Sequence, residues 1–299
     1  MTLFALFAAA SIISAQIALD REGFSPNTID GVWGSKSQKA LAHYCAREHT
    51  SLADAEELMA EYTPSSPFFR AHRVTREELE SLVAIPNDPA EKAKLPAMGY
   101  GAIDEMYAER GHMSVAALRK LNPKVDFRHV KAGTVITIPD FPSIEEELSV
   151  WPKDRRGAPE RPEAELVRIS LSRFEVTVYD AGGKLIAVFP CSIAKDKANI
   201  PAKRELRITT AIANPNYTYT PDRADASGRK PRHVWPAGPN CPVGVAWLGL
   251  DLPGYGIHGT PTPESIGRAE SHGCFRLANW NAARLYALAK PGTRVVIDD

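Results

Sequence analysis

Cys274 stands in the run Ser271-His272-Gly273-Cys274-Phe275-Arg276, and a second histidine lies upstream in Ile257-His258-Gly259-Thr260. A free thiol titrates near about pH 8.5, so a histidine beside it, or a helix beginning just after it, would raise the share of reactive thiolate. Gly273 lets the backbone turn sharply and leaves its N–H groups unobstructed. Such groups stabilise the oxyanion that forms when a carbonyl is attacked. His258 is distant enough in the chain to approach the thiol from another loop, the usual arrangement of nucleophile and base in cysteine acyl transfer. His272, two residues from Cys274, is less well placed for in-line proton transfer. Spacing alone leaves three readings open: acyl transfer, an inert buried cysteine, or a metal site using Cys274, His258 and His272. No fourth ligand stands at a familiar spacing for that metal.

A nucleophile and a base on separate loops need a rigid frame. Past a Pro-rich, charged linker from Trp151 to Pro162 the sequence turns to β. Leu166–Leu171 and Phe174–Tyr179 show period-two character, and Asp180-Ala181-Gly182-Gly183 reads as a hairpin turn leading into Leu185–Ser192. A further strand is expected over Glu205–Ala211, a loop-rich region over Asn214–Pro242, a helix over Asn279–Ala289 and a final strand over Arg294–Ile297.

Upstream, a segment ending near Tyr62 reads as helix, loop and helix. The loop holds Asp30-Gly31 and Gly34, and Ser35 is placed as the N-cap of the second helix. After a charged connector containing Pro86, Pro89 and Pro96, helices are expected over Ile103–Arg110 and Ser114–Leu121, then a strand over Gly133–Pro139.

The stretch Ile257-His258-Gly259-Thr260 with Ser271-His272-Gly273-Cys274-Phe275-Arg276 resembles the signature of the YkuD-type L,D-transpeptidases. Phe189-Pro190-Cys191-Ser192-Ile193, Ile200-Pro201 with Leu206–Thr209, and Gly238–Gly244 are similar to other segments of that domain, so the resemblance covers about Glu165 to Ile297. Cys191, Cys241 and Lys203 depart from the family pattern at positions outside the proposed machinery. The resemblance implies Cys274 as nucleophile, His258 as base, the Gly259 carbonyl orienting the imidazole, and His272 on the oxyanion or acceptor side. Gly273 and Cys274 would supply N–H donors and Ser271 would fix the loop. Arg276 is a candidate for a substrate carboxylate, and Tyr255, Trp247 and Trp235 are candidate walls. No cofactor is implied. The partners implied are peptidoglycan stem peptides and glycan, which places the protein in the periplasm or at the cell wall.

Ile29–Gly34 with Lys39-Ala40-Leu41 resembles a three-helix peptidoglycan-binding module, with His43-Tyr44-Cys45 in place of its usual aromatic-Gln close. Leu118–Pro123 with Ala132-Gly133-Thr134 resembles the latter half of a LysM module whose first strand is hard to find. The expected architecture is therefore multidomain α+β: a helical module over 1–62, a LysM-like module over 95–140, and a mostly-β catalytic domain over 165–299 with a helix after the nucleophile.

Whole-chain properties fit this outline. The 299 residues suit about two domains, and 44% hydrophobic content supports a packed core. Lys+Arg and Asp+Glu each total 36, and no basic excess points to nucleic acid. Met1–Ala15 reads as a signal-like apolar run without a leading cation, or as the first helix of the N-terminal module; it is too short to span a bilayer. Cys45, Cys191 and Cys241 form no CxxC pattern. Hydrolysis or D-amino-acid exchange at the same thiol, and a wall-binding scaffold, stand as alternative functions. A papain-like peptidase is disfavoured because His258 precedes Cys274.

Overall fold

The computed structural model describes residues 9–53, 68–149, 163–201, 204–221, 228, 230–271 and 273–299. Helix α1 (Ala9–Arg21) carries the apolar run into the protein, with Ile17 and Leu19 fully buried. Gln16 on that helix organises the glycine loop. Its amide donates to the Asp30 carboxylate and the Val32 carbonyl at 3.0 and 3.1 Å, and its oxygen accepts from Gly31 N–H at 2.9 Å. Gly31 takes a left-handed φ of 74° there, which glycine adopts without a Cβ clash. Helix α2 (Ser35–Glu48) follows. Its N-cap is Gly34 and Ser35 is the first helical residue, so the expected serine cap does not form.

Next come strand β1 (Phe69–Arg73), α3 (Arg76–Glu80), α4 (Pro89–Lys92), α5 (Ile103–Arg110), α6 (Val115–Leu121) and β2 (Val135–Pro139). Ser114 caps α6 by accepting from Ala117 N–H at 3.1 Å. Strands β1 and β2 pair antiparallel from Phe69–Pro139 to Arg73–Val135. Strand β1 lies ahead of the 95–140 segment, where no strand was expected from the sequence. Phe69-Arg70-Ala71-His72-Arg73 has no apolar face, and its pairing with β2 rather than its own pattern makes it a strand. The two N-terminal segments share one core: Ile17, Leu19 and Phe24 pack with Tyr107, Leu118, Ile136 and Ile138, and Val188 of the C-terminal sheet joins them.

Helix α7 (Ile144–Ser149) leads towards the C-terminal part. Its strands are β3 (Leu166–Ser170), β4 (Glu175–Tyr179), β5 (Leu185–Pro190), β6 (Ile193–Ala194), β7 (Glu205–Ala213), β8 (Tyr217–Tyr219), β9 (His233–Trp235), β10 (Ala246–Leu250), β11 (Gly256–His258), β12 (Ala269–Ser271) and β13 (Phe275–Arg276). Helix α8 (Asn279–Leu288) and strand β14 (Arg294–Asp298) complete it. One eight-stranded mixed sheet runs β13-β11-β10-β7-β14-β3-β4-β5, with β13–β11 and β14–β3 parallel. Helix α8 is covered by the sheet and by α7, so Leu285 and Ala282 are fully buried within the core that also holds Val167, Ile208, Leu248 and Val295. The expected hairpin forms, with the Asp180 carboxylate accepting from Gly182 and Lys184 N–H at 2.9 Å each. Strands β10 to β13 were not legible in advance; they are short and take their definition from neighbours in the sheet.

Candidate active site

The parallel pairing of β11 with β13 sets Ile257 opposite Phe275 and His258 opposite Arg276. Ile257 and Phe275 are buried in the core. Side chains alternate along extended chain, so the flanking Cys274 and Arg276 turn away from that core. The sheet register therefore brings the histidine and the cysteine strand into one site.

His258 is buried, and its Nδ1 lies 2.7 Å from the Gly259 carbonyl oxygen. That carbonyl can only accept, so Nδ1 carries the proton and Nε2 is left as a free base. Trp247, directly across the β10–β11 pair, stacks on the imidazole with centroids 5.5 Å apart and planes at 21°. Room for the indole comes from Gly256, where a Cβ would lie 2.6 Å from the ring. Burial drives the imidazole pKa down to about 4; the Arg276 charge adds to this and the bond to Gly259 opposes it.

Burial also pushes the Cys274 thiol up, against smaller opposing effects of a Gly256 backbone hydrogen bond and Arg276. Its Sγ lies 3.4 Å from the Gly254 carbonyl oxygen. This corrects the expectation of a helix-assisted thiolate. Helix α8 starts at Asn279, with β13 between it and Cys274, and the helix-end field fades within the first turn. Both shifts favour the uncharged forms of the thiol and the imidazole at neutral pH.

Asn279, read from sequence only as a helix start, braces this site. Its Oδ1 accepts from Val245 N–H at 3.3 Å and its Nδ2 donates to the Pro239 carbonyl at 3.0 Å. A Cβ on Gly259 would lie 2.3 Å from that Oδ1, and one on Gly244 (φ 60°) only 2.0 Å away. The Asn279 amide also donates to the Glu109 carboxyl at 3.1–3.2 Å, which accepts the Tyr100 hydroxyl at 2.8 Å. Burial pushes the Glu109 carboxyl up to about 8, against these hydrogen bonds. A residue of α5 thus supports, through Asn279, the backbone that orients His258. No local signal marks Glu109, because its partners come from distant parts of the chain.

Gly273 places its backbone against Tyr255, whose ring would sit 3.4 Å from a Cβ there, so Tyr255 packs against the loop that carries Cys274. Ser271 pairs through its backbone with Ala194 of β6. His272 lies outside the described residues, as does Lys203. Arg276 exchanges backbone hydrogen bonds with Ser192 at 2.9 Å in each direction, and its buried Nε has no partner. Trp235 of β9 is buried and donates to the Pro89 carbonyl of α4 at 2.9 Å. Cys191 and Cys241 are buried free thiols, both pushed up by burial, Cys241 to about 11. Among the described residues no three His, Cys, Asp or Glu side chains gather to hold a metal.

A thiol just ahead of β13 and an oriented imidazole on the neighbouring β11 are an arrangement suited to cysteine acyl transfer. Residues 164–297 match the family model of the L,D-transpeptidase catalytic domain, YkuD. Among the relatives, Escherichia coli YbiS, described as a probable L,D-transpeptidase, is 28% identical over 198 residues, 65% of this chain and 60% of that protein. E. coli YcfS, described in the same words, is 29% identical over 199 residues, 64% of this chain and 58% of that one. Bacillus subtilis YkuD is 47% identical over 60 residues, 20% of this chain and 37% of that protein. The chain thus spans less than two thirds of the length of these relatives.

Proposed function

We propose that this protein is a peptidoglycan L,D-transpeptidase acting through Cys274. The observation that carries the reading is the 2.7 Å contact of His258 Nδ1 with the Gly259 carbonyl: that oxygen can only accept, so the proton sits on Nδ1 and Nε2 is left basic beside the cysteine strand. Cys274 Sγ attacks the carbonyl that joins the L-centre of a diamino acid to the terminal D-Ala of a stem tetrapeptide, and the thiol proton passes to His258 Nε2. The tetrahedral oxyanion is held by the Gly273 and Cys274 N–H groups, with His272 on that side. Its collapse expels the D-Ala amine, which takes the proton from the imidazolium, and a thioester remains. The side-chain amine of a second stem attacks the thioester and passes its proton to His258. The thiol is then re-formed and the cross-link released.

This chemistry suits a shielded site, because water competes with the amine. Trp247 over His258 and Tyr255 against Gly273 favour shielding. The substrate places the protein outside the cytoplasm. No helix among the described residues is long and apolar enough to cross a membrane. The division into a helical module over 1–62, a LysM-like module and the catalytic domain belongs to the same reading. Helices α5 and α6 followed by β2, which pairs with β1, favour the LysM-like assignment of the middle part.

The test is mass spectrometry of stem tetrapeptide after incubation with the wild type and with Cys274→Ala. A dimer lacking one D-Ala, formed by the wild type alone, is expected. Tripeptide monomer alone would reassign the protein as a carboxypeptidase. An absence of turnover on peptide and on intact sacculi would put the wall-binding scaffold ahead.

A further inference from the structure

A cavity of about 500 Å³ opens where the connector before α5 meets the catalytic domain, and its lining includes Lys92, Met98, Trp235, Thr260, Thr262 and Arg276. Its size falls in the range of about 300–1,000 Å³ typical of small-ligand sites. Two cations reach it from different parts of the chain. Lys92 holds its ammonium 4.6 Å from the centre of the Trp235 ring. Arg276 keeps a buried Nε that donates to nothing. Among the described residues neither side chain pairs with a carboxylate, and no acid lines the cavity.

A buried guanidinium N–H without an acceptor is an unmet demand, and the planar fork of arginine matches a carboxylate. Neutral donors stand alongside, since the Thr260 and Thr262 hydroxyls lie 3.2 Å apart. The connector is held in place to form the wall: Met98 N–H donates to the Ala237 carbonyl at 2.8 Å, and Asn240 N–H to the Met98 carbonyl at 2.9 Å.

We infer that this cavity is a carboxylate-recognition site for the peptide substrate, completed by Lys92 from outside the catalytic domain. The inference rests on the transpeptidase reading for the identity of the peptide, but not for the existence of the site. Arg276, two residues from Cys274, anchors the carboxylate close to the thiol. Among the described residues that line the cavity, Lys92 adds the second positive charge, and it comes from outside the catalytic domain.

The test is calorimetric titration of the full-length Cys274→Ala protein with a synthetic stem tetrapeptide, and with two analogues amidated at the terminal or at the internal carboxylates. One amidation is expected to weaken binding about five- to tenfold, the scale of a partly exposed charge-assisted contact. That result also identifies which carboxylate is read. Adding Lys92→Met should weaken the acid peptide by a similar factor and leave the sensitive amide unchanged. Equal affinity for acid and amides, equal weakening of both by Lys92→Met, or no binding of the acid peptide would each overturn the inference. Turnover by the wild type is followed separately. Charge-dependent binding without turnover would count against the transpeptidase and leave the cavity assigned, whereas turnover with charge-blind binding would do the reverse.

Discussion

At the scale of single residues, the chemistry turns on how burial moves two protons. Water is withdrawn from both Cys274 and His258, and each answers by favouring its neutral form. A preformed thiolate–imidazolium pair is therefore not the resting state, and the proton must move as the carbonyl is attacked. Alkylation of Cys274 by iodoacetamide should accordingly rise about tenfold per pH unit through pH 7–8, as for an unassisted thiol. A rate already level from pH 5 upward would show an ion pair and contradict this account. The motif that names these residues is local and was readable in the sequence. Their protonation was not, because desolvation depends on what packs over them.

At the scale of elements, α5 and α8 meet at a polar contact between Glu109 and Asn279. The Glu109 carboxyl is pushed from 4.5 to about 8, so the folded protein holds a proton that the unfolded chain has released over that interval. Stability from this group is full below pH 4.5 and is lost as pH rises through 8. Between pH 6.5 and 8 the folded His258, near 4, stays neutral while the unfolded one, with an ordinary value of 6.5, loses its remaining half charge, which offsets only about 0.4 kcal/mol of the Glu109 effect. The Tm of the wild type should fall across that window, by of order 2 kcal/mol in stability, while Glu109→Gln should be nearly flat there. A slope unchanged in Glu109→Gln would remove the assignment. Glu109→Ala should cost about 1–3 kcal/mol at any pH, because the Tyr100 hydroxyl and the Asn279 amide lose an acceptor. Helices α5 and α8 were both legible from periodicity, and Asn279–Leu288 agrees with the expected span to one residue. Their contact was not legible, since it joins positions remote in the chain.

At the scale of the whole molecule, the expected modules do not sit apart. Asp20 of α1 is fully buried against His112 at 3.1 Å, and Arg284 of α8 donates to the Asp20 carbonyl at 2.5 Å. Burial alone would raise the Asp20 carboxyl, and His112 and Arg284 overcome it and hold the group below its ordinary range. The His112 ring is stacked between Phe141 at 4.0 Å and Trp280 at 5.1 Å. One joint thus ties the N-terminal helix, the middle segment and the catalytic domain. Calorimetry of the full chain should show a single cooperative transition. Two well-separated transitions, one for the N-terminal part and one for the catalytic part, would refute that coupling.

The sequence by itself determined the nucleophile motif, the strands from Leu166 to Pro190, the paired helices of the middle segment and the helix after Cys274. Each is written in contiguous residues, as a spacing, a period or a turn. Only the tertiary structure decided that β1 closes the middle segment and that Glu109 braces the catalytic loop. It also decided that Lys92 and Arg276 face one cavity and that thiol and imidazole rest neutral. Those outcomes depend on which distant surfaces exclude water from one another, and pairing across the fold carries no local signature.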